Sequence, residues 1–320
     1  MSAFVLAPRY GGPEVLELGE RRVSPPEAGR VVIRVAAAGV NRADAKQIAG
    51  VFGRDEAKLP IRPGSEIAGV ITAVGTDAES TDAEPTGGPF RVGDEVLAYR
   101  VIGGWAEEVT ARSANVFRKP PALPFAEAAN LLLVGTTAAH LVQATGIAPG
   151  DVVLVHGASG GVGALAVQLA VLRGARVIGT AAEANLDRVR ALGADAVAYG
   201  PGLLDRVRSL APAGVTVALD TAGTDEALTT SIALLSHPGR LATIVDFARA
   251  RAAGGMALGN GPGADPGTAL RDAARAELVR LAGEGRIHVP VARTFPLAEA
   301  AAALEHLATA HAGGKLALLP

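Results

Sequence analysis

The sequence predicts an α/β protein in which a doubly wound parallel sheet follows a separate β-rich region. Residues 1–124 contain short apolar segments separated by Gly, Pro and Asp turns, a pattern typical of antiparallel strands. After Pro124, apolar β-branched segments alternate with alanine-rich segments, which predicts βαβ units. Because these later strands are apolar throughout, helices are expected to cover both faces of their sheet.

The expected elements follow in chain order. In the β-rich region the pattern predicts strands at 14–18, 30–38, 67–74, 95–99 and 106–110. For the parallel sheet it predicts strands at 152–155, 176–179, 196–198, 215–219 and 241–245, with helices at 164–173 and 186–192. Beyond Gly261 it predicts a helix at 269–282, a strand at 287–291, a helix at 297–309 and a strand at 315–319. The polar stretch 76–89 is expected to be a surface loop.

Length and composition limit the classes of function. A chain of 320 residues that is 49% hydrophobic and 19% charged is expected to fold into two domains. Its formal charge of −2 gives no general attraction to nucleic acid or to a membrane surface, so small molecules or other subunits are the expected partners. The absence of cysteine from the sequence excludes disulfides and thiolate metal sites. Residues 1–13 show no signal-peptide pattern, and a cytoplasmic location is expected.

The strongest chemical signal is the segment VVLVHGASGGVG at 152–163. Here a buried strand leads into a glycine turn and then a helix, the arrangement that directs backbone N–H groups at a pyrophosphate. Ala158, Gly160 and Gly163 fit the small-residue pattern of a dinucleotide-binding turn. The residues predicted to bind the phosphates are Gly157, Ser159, Gly160, Gly161 and Val162. The alternative is a glycine-rich turn in an ordinary α/β protein.

The end of the second parallel strand bears on the choice between NAD and NADP. The strand ends at Thr180 and Ala181 with no acid at its tip, where NAD enzymes place a carboxylate for the ribose, although Glu183 lies slightly beyond. NADP(H) is therefore the predicted cofactor. The residues predicted to surround its ribose and 2′-phosphate are Thr180, Asn185, Arg188 and Tyr199, and Arg190 is a further nearby donor that could hold the phosphate. Alternatively, Arg188 and Arg190 only solvate an exposed helix face.

Several motifs together carry a family resemblance. They are AGVNRAD at 38–44, PGSEIAGV at 63–70, VGDEV at 92–96, GTTA at 135–138, the glycine turn, and GKL at 314–316. In these motifs the sequence resembles the zinc-independent quinone oxidoreductases, the zeta-crystallin-like branch of the medium-chain dehydrogenase/reductase superfamily. The motifs occur in the family's order and span nearly the whole chain.

This resemblance implies a discontinuous GroES-like catalytic domain at 1–124 and 265–320, with a Rossmann NADP-binding domain at 125–264 inserted into it and the active site in the cleft. It also implies a homodimer, formed through an edge strand near 255–259. Zinc-containing relatives have a histidine where this chain has Ser65, and they use cysteines that are absent here, so no metal site is expected. The implied activity is NADPH-dependent hydride transfer to a quinone or an α,β-unsaturated carbonyl.

The resemblance also implies site residues. Asn41, Tyr99 and Thr137 are the expected catalytic residues, and Asn41 and Thr137 are also expected to contact the nicotinamide. Further cofactor contacts are expected from Ala222, Val245, Phe247 and Lys315.

Each of these assignments has a structural alternative. Asn41 begins a capping pattern with Asp44, and Thr136 or Thr137 could cap the next helix. Tyr99 could simply pack. Asp246 could orient substrate or cap a loop, and His156 is interpreted as a packed core residue. Phe52 stands where many relatives carry tyrosine, which removes one hydroxyl from the expected substrate region.

Two other functions remain open at this level. The first is a pathway-specific enoyl reductase of secondary metabolism, which would reduce carrier-bound or bulky enones but not simple quinones. The second is a non-catalytic NADPH-binding protein with a structural or sensory role. No Gly-x-Ser-x-Gly motif surrounds any serine, so a hydrolase has no support.

Overall fold

A computed structural model describes residues 1–78, 89–309 and 313–320. Most of the loop expected at 76–89 lies outside the described residues. The strands are β1 (Ser2–Leu6), β2 (Glu17–Arg21), β3 (Arg30–Val40), β4 (Glu66–Val74), β5 (Glu95–Tyr99), β6 (Glu108–Arg112), β7 (Val116–Arg118), β8 (Val152–His156), β9 (Arg176–Ala181), β10 (Asp195–Ala198), β11 (Val217–Asp220), β12 (Leu241–Thr243), β13 (Met256–Ala257), β14 (Val291–Pro296) and β15 (Lys315–Leu319).

The helices begin and end as follows. They are α1 (Arg42–Ile48), α2 (Phe125–Ala128), α3 (Leu132–Ala144), α4 (Gly161–Leu172), α5 (Leu186–Ala191), α6 (Leu203–Leu210), α7 (Asp225–Leu234), α8 (Phe247–Ala252), α9 (Thr268–Gly283) and α10 (Ala300–Thr309). In the described part of the chain, every helix is too short or too polar to cross a membrane.

The chain divides into two compact units. Unit 1 contains Met1–Leu133 and Ala276–Pro320, and unit 2 contains Val134–Arg275. Unit 1 is therefore discontinuous in sequence. Both junctions lie further along the chain than the sequence boundaries at 124/125 and 264/265, because α3 and α9 each run across a junction.

Unit 2 is built on a six-stranded sheet in which every pairing is parallel, in the order β10-β9-β8-β11-β12-β13. Counted within the unit, this order is 3-2-1-4-5-6, the order of the dinucleotide-binding Rossmann fold. Val153, Leu154 and Val155 of the central strand β8 have no exposed surface. The expected doubly wound parallel sheet is confirmed.

Unit 1 is built on a mixed seven-stranded sheet. Its path is β14-β15-β3-β4-β5-β7, with β6 also paired to β3, and β1 and β2 form a separate antiparallel pair. The pairings within the seven-stranded sheet are antiparallel except that between β14 and β15. Trp105 is fully buried here, and its indole Nε1 donates to Gly39 O at 3.0 Å.

Two of the expected strands are wrong. At 14–18 the chain first forms a 3-10 helix, Pro13–Val15, because Pro13 favours the first turn of a helix, and β2 begins only at Glu17. At 287–291, Ile287 and Val289 are buried without belonging to a strand, and β14 begins after Pro290. The sequence pattern also gave no indication of β1 and β7.

The outer edge of unit 2 is closed by its own chain. β13 is the last strand of the sheet, and the residues that follow it pair with Asp265. Asp265 N donates to Ala257 O at 2.8 Å, and Gly259 N donates to Asp265 O at 2.7 Å. These backbone groups are already used within the chain, at the edge where the family resemblance implies a dimer contact.

Candidate active site

The glycine turn lies at the carboxyl end of β8, in unit 2. Gly157 has φ +72°, a conformation that favours glycine, and a Cβ there would lie 2.8 Å from Thr221 Oγ1. A Cβ at Gly163 would lie 2.2 Å from Gly157 O, so only glycine allows α4 to approach the turn this closely. At Gly160 a Cβ would meet only Gly157 O, at 3.2 Å. The turn is thus compact on its inner side and least crowded at Gly160.

Helix α4 starts directly from this turn. Its first backbone hydrogen bond runs from Ala164 N to Gly160 O at 2.8 Å, so the N–H groups of Gly161, Val162 and Gly163 belong to the first turn and have no partner within the helix. Such N–H groups and the positive end of the helix dipole favour an anion. The residues present fit a pyrophosphate.

Below the turn, His156 is a packed core residue, as expected. It is 1% exposed, with Nδ1 3.1 Å from Thr180 Oγ1 and Nε2 3.1 Å from Ser231 Oγ. Burial lowers the pKa of His156 to about 4, so the ring is neutral at pH 7. Thr180, a predicted cofactor residue, therefore directs its hydroxyl into the core, and its carbonyl accepts from Ala158 N at 2.9 Å.

The other predicted ribose residues surround the end of β9. Tyr199 is half exposed and its backbone N donates to Ala181 O, the last residue of β9, at 3.1 Å. Asn185 is buried at the start of α5, and Arg188 lies exposed one turn further on. Arg190 on the same helix forms an ion pair with Asp187 at 2.6 Å. The structure therefore brings Asn185, Arg188 and Tyr199 to the end of the strand where a 2′-phosphate is expected.

Ala222, Val245 and Phe247 lie directly after β11 and β12. Val245 is 44% exposed and its side chain lies over Gly223, where a Cβ would come within 2.2 Å of Val245 Cγ1. Phe247 is the first residue of α8, and its ring packs against Gly261, where a Cβ would lie 2.1 Å from Phe247 Cε2. Asp246 accepts from Arg249 N at 3.1 Å and so caps helix α8, whereas the alternative from the sequence is the cap of a loop.

Unit 1 contains a buried polar cluster formed by Asn41, Asp44, Glu66 and Lys315. Asn41 Nδ2 donates to Glu66 Oε1 at 3.0 Å, and Lys315 Nζ donates to Asn41 Oδ1 and, at 3.0 Å, to Val40 O. Glu66 Oε1 lies 3.7 Å from Lys315 Nζ, and Glu66 Oε2 accepts from Leu133 N at 2.9 Å. The Asn41 amide is therefore held in one orientation, with its oxygen toward Lys315 and its nitrogen toward Glu66.

The charges of this cluster are strongly affected by burial. Asp44 is 2% exposed and accepts from Asn41 N at 2.9 Å, which forms one half of the predicted capping pattern. Burial raises the pKa of Asp44 to about 7 and also raises the pKa of Glu66, while burial lowers the pKa of Lys315. Lys315 opposes the first two shifts and the two carboxylates oppose the third. Lys315, predicted as a cofactor contact, thus directs its ammonium group at this cluster.

Tyr99 and Thr137 lie in different units. Tyr99 is the last residue of β5 and the cross-strand partner of Glu66 on β4, so both side chains stand on one face of the sheet in unit 1. The Arg100 guanidinium lies 5.8 Å from the centre of the Tyr99 ring. Thr137 is a buried residue of unit 2 within α3, which begins at Leu132. The alternative that Thr136 or Thr137 caps this helix is therefore wrong.

The residues near Ser65 do not fit a zinc ion. Zinc prefers thiolate, imidazole and carboxylate ligands, whereas this segment offers a serine hydroxyl, and the sequence has no cysteine. The neighbouring Glu66 carboxylate is already bonded to Asn41 and Leu133, with the Lys315 ammonium 3.7 Å away. Across residues 1–78, 89–309 and 313–320, no three His, Asp or Glu side chains group as metal ligands.

Sequence patterns did not identify Glu66 and Asp44 as members of this cluster, nor Asp220 and Thr243 in unit 2. A usable signal was present for the acids, since Glu66 and Asp220 each adjoin an apolar strand segment. A charged residue in a buried strand needs a partner. The cation that faces Glu66, Lys315, lies far away in sequence.

Two family models match the chain. An alcohol dehydrogenase GroES-like domain matches residues 27–121, and a zinc-binding dehydrogenase domain matches residues 192–318. Both are domains of alcohol dehydrogenase-type proteins.

Curated relatives narrow this class. Quinone oxidoreductase from Mus musculus is 34% identical over 244 residues, which cover 73% of this chain and 70% of the mouse protein. Quinone oxidoreductase from Homo sapiens is 39% identical over 175 residues, 54% of this chain and half the length of that relative. The chain belongs to the medium-chain dehydrogenase/reductase superfamily, in its zeta-crystallin-like quinone oxidoreductase branch.

Solved structures agree with this fold. An NAD-dependent alcohol dehydrogenase has a TM-score of 0.83 at 29% identity, covering 99% of both chains. A mycobacterial protein complexed with NADPH has a TM-score of 0.82 at 30% identity, covering all of both chains. The CurK enoyl reductase has a TM-score of 0.82 at 26% identity, covering 99% of both chains. Family membership supports a nicotinamide cofactor and a small-molecule substrate.

Proposed function

We propose that this protein is a metal-free, NADPH-dependent oxidoreductase that reduces a quinone or an α,β-unsaturated carbonyl. The observation that carries the proposal is the glycine turn between β8 and α4, which is compact at Gly157 and Gly163 and less crowded at Gly160. It lies at the carboxyl end of the central strand of a 3-2-1-4-5-6 sheet, where dinucleotides bind.

The bound nicotinamide would supply the hydride. The chain's own residues bind and orient the cofactor: the first turn of α4 holds the pyrophosphate, and Asn185, Arg188 and Tyr199 hold the 2′-phosphate. Asn41, Tyr99 and Thr137 remain the proposed catalytic residues, on the family resemblance. In unit 1, Glu66 and Lys315 fix the Asn41 amide, so that this group needs no reorientation when a ligand binds.

The proposed acceptor class follows from the residues near Ser65. Because those side chains do not fit zinc, the acceptor should be polarised by its own conjugation, as a quinone or an enone is. The protein would contribute orientation, exclusion of water and hydrogen bonds to the developing oxyanion. The proton would come from solvent.

The activity is tested by following NADPH oxidation with a panel of quinones and enones. We expect turnover with at least one class and no loss of activity after treatment with a zinc chelator. Binding of NADPH without hydride transfer to any acceptor would instead favour the non-catalytic alternative.

Cofactor choice is tested with Arg188. In the Arg188→Ala variant we expect the Kd for NADPH to rise about tenfold while the Kd for NADH stays within about twofold, since only the phosphate loses a charged partner. Arg190→Ala is the matched control, because it removes the same charge from the same short helix, where Arg190 is paired with Asp187. Equal effects of the two variants, or equal wild-type affinity for both cofactors, would contradict the proposed 2′-phosphate site.

A pathway-specific enoyl reductase is the second candidate, favoured by the likeness to the CurK enoyl reductase. Reduction of carrier-bound or bulky enones, with no turnover of simple quinones, would support it. The homodimer and the cytoplasmic location also stay predictions.

A further inference from the structure

Two buried polar side chains join the loops that follow β11 and β12. Asp220 is the last residue of β11 and Thr243 the last residue of β12, and neither has exposed surface. The two residues are direct partners in neighbouring parallel strands. Thr243 Oγ1 donates to Asp220 Oδ2 at 2.7 Å.

The same two side chains also bind the loop backbones. Asp220 Oδ1 accepts from the N–H groups of Ala222 at 3.0 Å and Gly223 at 2.8 Å. Thr243 Oγ1 accepts from the N–H groups of Val245 at 3.1 Å and Asp246 at 3.3 Å. The Asp220 carboxylate and the Thr243 hydroxyl therefore bind four backbone N–H groups in two loops. The bond that the Thr243 hydroxyl donates to Asp220 links the two loops.

The two loops also pack directly on each other. Gly223 has φ +70°, and a Cβ at this position would lie 2.2 Å from Val245 Cγ1, so Val245 rests on the bare backbone of Gly223. The hydrogen bonds of Asp220 and Thr243, together with the contact of Val245 with Gly223, hold the two loops as one surface. Breaking the link would leave buried polar groups without partners, which is costly.

This surface carries three of the proposed cofactor contacts, Ala222, Val245 and Phe247. It lies at the carboxyl ends of β11 and β12, next to the point where the strand order reverses between β8 and β11, the usual place for a bound dinucleotide. We propose that Asp220 and Thr243 are positioning residues for the cofactor, which act by fixing the two loops that contact it. This inference rests on the proposed function.

The test compares Thr243→Val with Thr243→Ser. Valine has nearly the shape of threonine but no hydroxyl, so it removes the link between the loops, whereas serine keeps it. The matched control is Thr145→Val, because Thr145 is also buried in unit 2, but it lies directly after α3 and its hydroxyl donates to Leu141 O of that helix at 2.7 Å. Two quantities are measured: the Kd for NADPH, and hydrogen exchange at residues 221–224 and 244–247 without cofactor.

For Thr243→Val we expect the Kd for NADPH to rise about tenfold, with faster exchange in both loops and a larger change in KM for NADPH than in kcat. Thr243→Ser should stay within about threefold of the wild-type Kd, and Thr145→Val should bind as the wild type does. Wild-type binding and exchange in Thr243→Val would overturn the inference, as would an equal loss of binding in Thr145→Val.

Two further outcomes are decisive. If Thr243→Val does not fold, Asp220→Asn replaces it, because the amide oxygen of this variant can still accept from Ala222 and Gly223, whereas its amide nitrogen cannot accept from Thr243. Faster exchange at 244–247 would then support the proposal, and unchanged exchange there would overturn it. A wild-type protein that binds no NADPH would refute the proposed function itself, whereas wild-type binding with an unaffected Thr243→Val refutes only this inference.

Discussion

At the scale of single residues, the cluster of Asp44, Glu66 and Lys315 combines two buried carboxyl groups with one buried ammonium group. Desolvation destabilises the charged form of each group, and each opposite charge nearby stabilises it. Among the described residues, Lys315 is the one cation beside the two acids Asp44 and Glu66, so a single positive charge cannot balance both carboxylates when both are ionised. Burial is the main reason why the pKa of Asp44 rises to about 7, and the negative charge of Glu66 adds to this rise.

The first prediction concerns Asp44 and pH. A carboxyl group whose pKa is higher in the folded chain than in the unfolded chain binds more protons when folded, so the free energy of unfolding falls as pH rises between the two values. For Asp44 this window runs from 3.8 to about 7. Relative to Asp44→Asn, the wild type should lose on the order of a few kcal/mol across it, measured by urea unfolding at several pH values.

The groups that face Asp44 are Lys315 from β15, Glu66 from β4, and the backbone N–H groups of Asn41 and Gly64. All of them remain in the Asp44→Asn variant, so the difference between the two proteins reports on Asp44. Parallel pH curves for the two proteins would show that Asp44 is ionised in the folded chain as in water.

The second prediction concerns Gly39, whose backbone angles suit any residue. A Cβ at Gly39 would lie 2.4 Å from Ala129 O and 2.9 Å from Glu66 Cγ. Gly39→Ala should therefore lower the free energy of unfolding by about 1–3 kcal/mol through overpacking. Gly239→Ala is the control, since a Cβ there meets nothing within 4 Å. Denaturant midpoints that shift equally in both variants would contradict the steric explanation.

The sequence predicted the conformation of the glycine turn better than it predicted the polar cluster. Gly157, Gly160 and Gly163 act through backbone conformation and close approach within a few residues of chain, which a local pattern records. The bond between Asn41 and Lys315 joins residues 274 positions apart, and no local pattern records such a contact. The family resemblance implies a cofactor contact at Lys315, and the structure adds that its ammonium group lies against Asn41 and Glu66.

At the scale of elements, an ion pair fastens the amino ends of the strands in unit 2, opposite the glycine turn. Arg240, just before β12, donates to both carboxylate oxygens of Asp151, just before β8, at 2.6 and 2.8 Å. Asp151 also accepts from Thr216 Oγ1 at 2.7 Å and from Ala148 N at 2.9 Å. The bonds from Arg240, the largest cause, lower the pKa of Asp151 to about 2.

The third prediction follows from this ion pair. Asp151→Asn should lower the free energy of unfolding by about 1–3 kcal/mol at neutral pH, because charge-assisted bonds to Arg240 are lost. Since the pKa of Asp151 is lowered on folding, its contribution is present above pH 3.8 and is lost as pH falls toward about 2. Thermal unfolding at neutral and acidic pH measures this.

Cofactor affinity should not change in Asp151→Asn, because Asp151 precedes β8 whereas the glycine turn follows it. A weaker Kd for NADPH in this variant would show that the two ends of the sheet are coupled.

Every strand predicted for unit 2 is observed within two residues of its predicted bounds, whereas two strands predicted for unit 1 are wrong. The central parallel strands are buried on both faces, so β8 and β9 stand out as unbroken apolar segments. Strand β14 is an edge strand with Arg293 and Thr294 exposed, so it lacks such a signal, and the buried Ile287 and Val289 drew the prediction to the wrong place.

At the scale of the whole molecule, the expected homodimer gives the fourth prediction. Light scattering should give twice the chain mass of 32.2 kDa. Ala257 O and Gly259 N are hydrogen-bonded to Asp265 of the same chain. We therefore expect the dimer contact not to replace these bonds, so that hydrogen exchange at Gly259 is slow at every protein concentration. A mass of 32.2 kDa would contradict the dimer. Hydrogen exchange at Gly259 N–H that becomes slower as the protein concentration rises would show that the dimer contact does lie at this edge.

The position of β15 has a consequence for synthesis on the ribosome. β15 lies between β14 and β3, and it brings the only ammonium group of the cluster with Asp44 and Glu66. Unit 2 is complete once residue 275 has emerged, so it can fold while translation continues. The sheet of unit 1 cannot form completely until residues 315–319 have been synthesised, because until then Asp44 and Glu66 lack the ammonium group of Lys315. A nascent chain stalled before Lys315 should therefore show a protease-resistant unit 2 beside a cleavable unit 1.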